Sequence, residues 1–171
     1  MTEKVQILPP HRVGIGYDIH RLVPDRKLML AGVEIPFELG LSGHSDADVV
    51  LHAVIDALLG GAALGDVGQM FPDTDPAYKN ADSGILLQHA LARVHAAGFT
   101  PLNLDTIIIA EKPKLTPFKP QMRRRLAQLL YLDESTVNLK AKTNEQLDAV
   151  GTGAAIAAYA VVLLIKSDNV T

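Results

Sequence analysis

His44-Ser45-Asp46-Ala47-Asp48-Val49-Val50-Leu51-His52-Ala53-Val54-Ile55-Asp56-Ala57-Leu58-Leu59 is the stretch that decides how the chain is built. Nearly every residue from Val49 to Leu59 is apolar, so a helix here must be buried almost all round. Asp48, His52 and Asp56 recur at i, i+4 and i+8 and lay one polar stripe along it. Ser45 followed by Asp48 reads as a capping-box-like start, which places the helix over about Asp46 to Leu64 with glycines at its end.

Working outward, Arg12 to His20 and Lys27 to Ile35 read as strands joined by a turn at Pro24-Asp25, and Gly14 and Gly16 mark places where side chains would crowd a neighbour. Residues Met1 to His11 read as a flexible extended arm. Downstream, Asp82 to Ala97 is a helix closed by Gly98, with Leu87, Leu91 and Val94 on one face. Leu102 to Ala110 is a strand, Thr116-Pro117 opens a third helix carrying Met122, Leu126, Leu129 and Leu130, and Val137 to Ala141 alternates as another strand. The β-branched run at Val161-Val162 makes Ala157 to Lys166 a strand that closes the sheet, with an alanine-rich helix as the competing reading. Interleaved elements of this kind predict an α+β fold, a mixed β-sheet layered with helices.

The 171 residues, 48% hydrophobic and 20% charged, suit a single domain over residues 12–171, with no internal repeat. A net charge of −3 argues against nucleic-acid or anionic-membrane partners. The most apolar stretch, Gly153 to Ile165, is shorter than the ~20 residues of a spanning helix. With no cysteine, any metal falls to histidine and carboxylate ligands.

Asp18 and His20, two apart on a strand, project from one face. Buried carboxylates need partners, so the stripe of Asp48, His52 and Asp56 should face ligands, a metal or a cavity; the alternative is a hydrogen-bonded core histidine with aspartates reaching solvent. Should Asp18, His20 and His52 converge, they offer three ligands with a further position open, as catalytic zinc uses. His44 and Ser45 lie at a helix start suited to phosphate. Asp66, Gly68 and the run Phe71-Pro72-Asp73-Thr74-Asp75-Pro76 form a carboxylate-rich turn suited to polyol hydroxyls. Lys114, Lys142, Thr143 and Glu145 collect at strand ends, where phosphates and a second divalent cation would fit.

The runs Gly16-Tyr17-Asp18-Ile19-His20, His44-Ser45-Asp46-Ala47-Asp48 with Leu51-His52-Ala53, Ala62-Ala63-Leu64-Gly65-Asp66 and Phe71-Pro72-Asp73-Thr74-Asp75-Pro76 resemble, in order and spacing, the 2-C-methyl-D-erythritol 2,4-cyclodiphosphate synthase family of the non-mevalonate isoprenoid pathway. The resemblance runs from about Arg12 to Lys166. It implies a homotrimer with active sites at subunit interfaces and a zinc ion on Asp18, His20 and His52. It further implies that His44, Ser45, Asp48, Asp56, Asp66, Gly68 and Asp73 hold the methylerythritol phosphate end or support the metal. Ala110, Lys114, Leu115, Thr116, Ala141, Lys142 and Thr143 of the next subunit would form the cytidine and phosphate pocket, with Glu145 on a second Mg²⁺ or Mn²⁺ ion. The chain departs from the family at Asp148-Ala149-Val150-Gly151-Thr152, where many members have a Gly-Phe-x-Gly-Arg run whose aromatic and arginine shape an axial cavity for an isoprenoid diphosphate, and at Lys142, where many carry threonine.

The implied reaction is an intramolecular phosphoryl transfer that expels CMP. Two other functions fit the residues: a zinc phosphohydrolase, in which water attacks, and a trimeric nucleotide-binding module with purely structural metal. The resemblance implies the cytoplasm if the source is bacterial and a plastid-type stroma if it is eukaryotic.

Overall fold

The computed structural model describes residues 10–167. Strand β1 (His11–Val23) and helix α1 (Val49–Ala62) form the contact around which the other elements assemble. The even-numbered residues of β1 face the helix. At Gly14 a Cβ would stand 1.8 Å from the Ala57 carbonyl oxygen, and at Gly16 one would stand 1.9 Å from that of Ala53. The helix therefore rests directly on the strand backbone, which is the crowding read from the two glycines.

The remaining strands and α-helices are β2 (Leu28–Leu30), β3 (Val33–Ile35), β4 (Gly40–Leu41), α2 (Val67–Met70), α3 (Ser83–Ala96), β5 (Phe99–Ile109), α4 (Lys119–Leu130), β6 (Val137–Lys142), α5 (Asp148–Gly151) and β7 (Ala155–Lys166), with short 3-10 turns at Pro76–Tyr78 and Glu134–Thr136. Five strands form one sheet in the order β4-β1-β7-β5-β6, with β5 and β6 parallel and the other pairs antiparallel. The sheet is therefore mixed and layered with helices, as expected. Its core joins Val50, Val54 and Leu58 of α1 to Leu87, Leu91 and Val94 of α3 and to Met122, Leu126 and Leu130 of α4.

Several expectations need correction. His11 belongs to β1, paired with Ile165, and the rest of the arm apart from Pro10 lies outside the described residues. Lys27 to Ile35 is not one strand but the hairpin β2–β3, because Ala31 and Gly32 both take left-handed backbone at φ 55° and 71°. Helix α1 begins at Val49, capped by Asp48 rather than Ser45, and ends at Ala63 in left-handed conformation with Gly60 and Gly61 inside it. Helix α4 starts beyond Thr116-Pro117, with Pro120 in its first turn. Strand β7 lies in the middle of the sheet, where hydrogen bonding to β1 and β5 on both sides settles it against the helix alternative. Helix α5 was not foreseen. Asp148 takes φ 57°, accepts from the Val150 N–H at 2.8 Å and from the Asn144 side-chain amide at 2.9 Å.

Asp48 is fully buried, and its carboxylate accepts the N–H groups of Val50 and Leu51 in α1 and of Ala31 and Gly32 in the hairpin turn. Burial pushes its carboxyl upward, while the Gly32, Leu51 and Ala31 N–H groups pull it back. Asp48→Ala leaves four N–H groups without this partner. It is expected to destabilise the metal-free protein by about 3 kcal/mol or more, read as a lower urea midpoint. A shift of under about 1 kcal/mol would show that the turn and helix hold without it.

Candidate active site

Beyond the two glycines, the helix-facing side of β1 carries Asp18 and His20, and α1 brings His52 across from above. Asp18 Oδ2 lies 2.9 Å from His20 Nε2 and 2.9 Å from His52 Nδ1, and the two ring nitrogens are 3.2 Å apart. The cluster is partly buried. Burial works to raise the Asp18 carboxyl, but hydrogen bonds from His20 and His52 outweigh it and hold the group well below the usual carboxylate range. Burial works to lower His52, and the hydrogen bond and charge of Asp18 reverse this and raise it. Three donor atoms so close together, oxygen and nitrogen and no sulfur, match what a single divalent cation collects, so the residues present fit a metal.

On its far side, His52 Nε2 lies 3.0 Å from Ser45 Oγ and 3.1 Å from Ser83 Oγ, and the Ser83 hydroxyl donates to Asp46. Ser83 and Asp46 were missed from the sequence. Ser83 is 31 residues from His52 and opens another helix, so no local spacing signals the contact.

A cavity of about 330 Å³ opens over the triad. His44, Ser45, Gly68 and Asp73 line it, and Phe71, Tyr78 and Leu86 add an apolar wall. His44 Nε2 is 3.0 Å from the Asp75 carbonyl oxygen, which orients the ring. The other stripe and turn aspartates do not line it. Asp48 spends its oxygens on backbone N–H groups, Asp56 accepts from Val67 N at 2.8 Å, and Asp66 caps α2 by accepting from Gln69 N at 2.8 Å. Burial pushes the Asp56 carboxyl up, with the Val67 N–H opposing. The stripe thus sends only His52 to the cavity, while Asp56 and Asp66 brace the corner that presents Gly68.

A second cavity of about 340 Å³ sits at the carboxyl ends of the parallel pair β5 and β6. Ala110, Lys114, Leu115, Thr116, Ala141, Lys142 and Thr143 all line it. Glu145 stands beside it at φ 50°, accepting from the Thr143 hydroxyl at 2.7 Å. Glu111, another residue missed from the sequence, holds this loop by accepting from Asn144 N at 2.9 Å and Gln146 N at 3.3 Å. Its separation of more than 30 residues from the loop hides that role from spacing alone.

The sequence profile of the YgbB family matches residues 11–165. The chain belongs to the YgbB family. Proteins named 2-C-methyl-D-erythritol 2,4-cyclodiphosphate synthase are among its relatives: that of Chloroherpeton thalassium is 53% identical over 155 residues, 91% of this chain and 99% of the relative. That of Geotalea uraniireducens is 56% identical over 153 residues, covering 90% of this chain and 98% of the relative. Among solved structures, the bifunctional IspDF from Campylobacter jejuni superposes with a TM-score of 0.89 at 42% identity, over 92% of this chain and 43% of that one. A CDP-bound 2C-methyl-D-erythritol-2,4-cyclodiphosphate synthase superposes with a TM-score of 0.83 at 38% identity, over 90% and 99%. Among the described residues of this YgbB-family chain, no helix is long and apolar enough to cross a membrane.

Proposed function

We infer that this chain carries out the reaction for which its relatives are named, converting 4-diphosphocytidyl-2-C-methyl-D-erythritol 2-phosphate to 2-C-methyl-D-erythritol 2,4-cyclodiphosphate and CMP. It is a phosphorus–oxygen lyase of the non-mevalonate isoprenoid pathway. The observation that carries the inference is the convergence of Asp18, His20 and His52 in the wall of the first cavity.

In the reaction an oxygen of the 2-phosphate forms a bond to the β-phosphorus of the same molecule. The bond from that phosphorus to the bridging oxygen breaks, and the electron pair leaves with CMP. A phosphate monoester with a second pKa of ~6 is largely dianionic at neutral pH, so no side chain need remove a proton. The residues have two tasks: to fold a flexible substrate into a ring and to offset charge on its oxygens. Asp18, His20 and His52 would hold zinc, and Glu145 with the substrate diphosphate would hold magnesium or manganese; when bound, these ions supply Lewis acidity at the diphosphate oxygens. His44, Ser45, Gly68 and Asp73 would bind the methylerythritol phosphate end, the carboxylate accepting from its hydroxyls. Lys114 and Lys142 would offset phosphate charge, the Thr143 hydroxyl would donate to it, and Ala110, Leu115, Thr116 and Ala141 would enclose the cytidine.

We read residues 12–171 as one catalytic domain acting within a homotrimer. The sheet face turned away from the helices exposes Val13, Ile15, Tyr17 and Ile19 of β1 beside Tyr159 and Val161 of β7, with the Tyr17 and Tyr159 rings 4.7 Å apart. So continuous an apolar face supports burial against other copies. The triad cavity of one subunit would then complete the nucleotide cavity of the next. Substrate is the small-molecule partner, with no nucleic acid or membrane; the cytoplasm of a bacterium or the stroma of a plastid-type organelle is the compartment.

Shared sites give a direct test. A His52→Ala chain and a Lys114→Glu chain, each inactive alone, are mixed, reassembled and assayed for CMP. Random trimers would pair an intact triad with an intact nucleotide cavity in about a quarter of sites, so about a quarter of wild-type turnover should return. Demonstrated mixed trimers with no recovered turnover would place each site within one subunit.

A further inference from the structure

We propose that Ser83 and Asp46 are positioning residues for the metal centre: Asp46 fixes the Ser83 hydroxyl, and this relay holds His52 by its Nε2 so that Nδ1 is turned toward Asp18 and His20. The proposal rests on the reading of Asp18, His20 and His52 as metal ligands, and it assigns a role to two residues outside that set.

The direction follows from counting protons. A carboxylate can only accept, and Asp46 accepts three times: from Ser83 N at 3.2 Å, from Asp48 N at 3.2 Å and from the Ser83 hydroxyl. Ser83 is fully buried and has one hydroxyl proton, which Asp46 takes. Toward His52 Nε2, 3.1 Å away, the Ser83 oxygen can therefore only accept. Ser45 Oγ, 3.0 Å from the same nitrogen, already accepts from Ala47 N at 3.1 Å, and its own proton has Ser83 Oγ as an acceptor 3.3 Å away. On this side of the ring the arrangement is satisfied when Nε2 carries a proton and shares it between the two serines. Nδ1 faces the cluster, 3.2 Å from His20 Nε2 and 2.9 Å from Asp18 Oδ2, to which it donates in the metal-free protein; in the metal-loaded protein that proton gives way and the neutral ring keeps its one proton on Nε2. Without the Ser83 and Ser45 oxygens the Nε2 proton of the metal-loaded ring would be left unpartnered inside the protein, which is costly.

The relay also joins two segments that line the cavity. Asp46 N donates to the Ala81 carbonyl at 3.0 Å and Asn80 N donates to that of His44 at 2.7 Å. The loop carrying His44 and Ser45 is thereby laced to the segment that follows Asp73 and ends at Ser83. The orientation of a ligand on α1 is thus set from the first residue of α3.

The test compares zinc affinity in wild type, Ser83→Ala and Ser83→Thr by competition with a chromophoric chelator. In parallel, long-range ¹H–¹⁵N spectra of the zinc-loaded wild type read the His52 tautomer, its signal assigned by its loss in His52→Asn. Alanine removes the acceptor and is expected to weaken zinc about 10- to 100-fold, while threonine, which keeps the hydroxyl, restores most of it. The spectra should show the proton on Nε2. Wild-type affinity in a folded Ser83→Ala, or a wild-type His52 with its proton on Nδ1, would overturn the relay. If the alanine chain fails to fold, Asp46→Asn, which weakens the acceptor that fixes the Ser83 hydroxyl, repeats the affinity arm, and wild-type zinc affinity there would overturn the relay. A wild type that retains no zinc would overturn the ligand assignment itself and the relay with it.

Discussion

His52→Ala should lose its bound metal and at least about 10³-fold in turnover, the upper range for removing a preorganised electrostatic contact and equivalent to about 4 kcal/mol of barrier. The imidazole is one of three donors whose atoms lie within 3.2 Å of each other, so two donors remain and the Asp18 oxygen loses one of its two partners. Damage to the fold should be small by comparison. Alanine favours helix, α1 keeps the buried faces of Val50, Val54 and Leu58, and Asp48 still caps it. The variant should therefore elute with the wild type and show only trace zinc by elemental analysis. Turnover within tenfold of wild type in such a zinc-free protein would remove the triad from the chemistry.

Gly16→Ala is expected to harm the fold severely. The new Cβ would meet the Ala53 carbonyl oxygen at 1.9 Å and the Ala57 nitrogen at 2.8 Å, both of them helix backbone that no rotamer change can clear. Moving α1 away to accommodate it opens the contact on which the core is built, a loss of more than about 4 kcal/mol against a total stability of ~5–15. Little soluble protein, or a melting point lower by more than about 10 °C, is the expected result. Gly60→Ala supplies the contrast, since a Cβ there meets only the Ile15 carbonyl oxygen at 3.9 Å and should gain about 0.5–1 kcal/mol of helix stability. A Gly16→Ala protein that melts with the wild type would mean that the sheet and helix are not packed so closely.

What the sequence revealed and what it hid have physical causes. Gly14 and Gly16 announced the close packing because a strand tolerates such gaps only where something presses on it. Asp18, His20 and His52 could be read because two short-range periods, that of the strand and that of the helix, each place a side chain on a defined face. The same logic did not find the partners of Asp48 and Asp56. A helical stripe says which way a carboxylate points but not whether a cavity or a distant N–H awaits it, and here the N–H groups of Ala31, Gly32 and Val67 do. The β2–β3 hairpin was hidden because the run from Leu28 to Val33 has no polar side chain to interrupt it at Ala31-Gly32, a turn without the usual Asn-Gly or Asp-Gly pair. The central place of β7 is a matter of strand order, which no local pattern encodes. For the second cavity, residue chemistry singled out Lys114, Lys142 and Thr143, whereas Ala110, Leu115, Thr116 and Ala141 came from resemblance alone, because such side chains carry no chemical signature that sets them apart in sequence.

The reaction itself is best tested by the source of the oxygen atoms. The zinc-loaded protein is given 4-diphosphocytidyl-2-C-methyl-D-erythritol 2-phosphate in H₂¹⁸O, and the products are analysed by mass spectrometry and ³¹P spectra. Attack by the substrate's own 2-phosphate predicts CMP and cyclic diphosphate in equal amounts, neither carrying ¹⁸O. Attack by water would instead give an open bisphosphate or a labelled phosphate group, and finding that label would contradict the cyclisation.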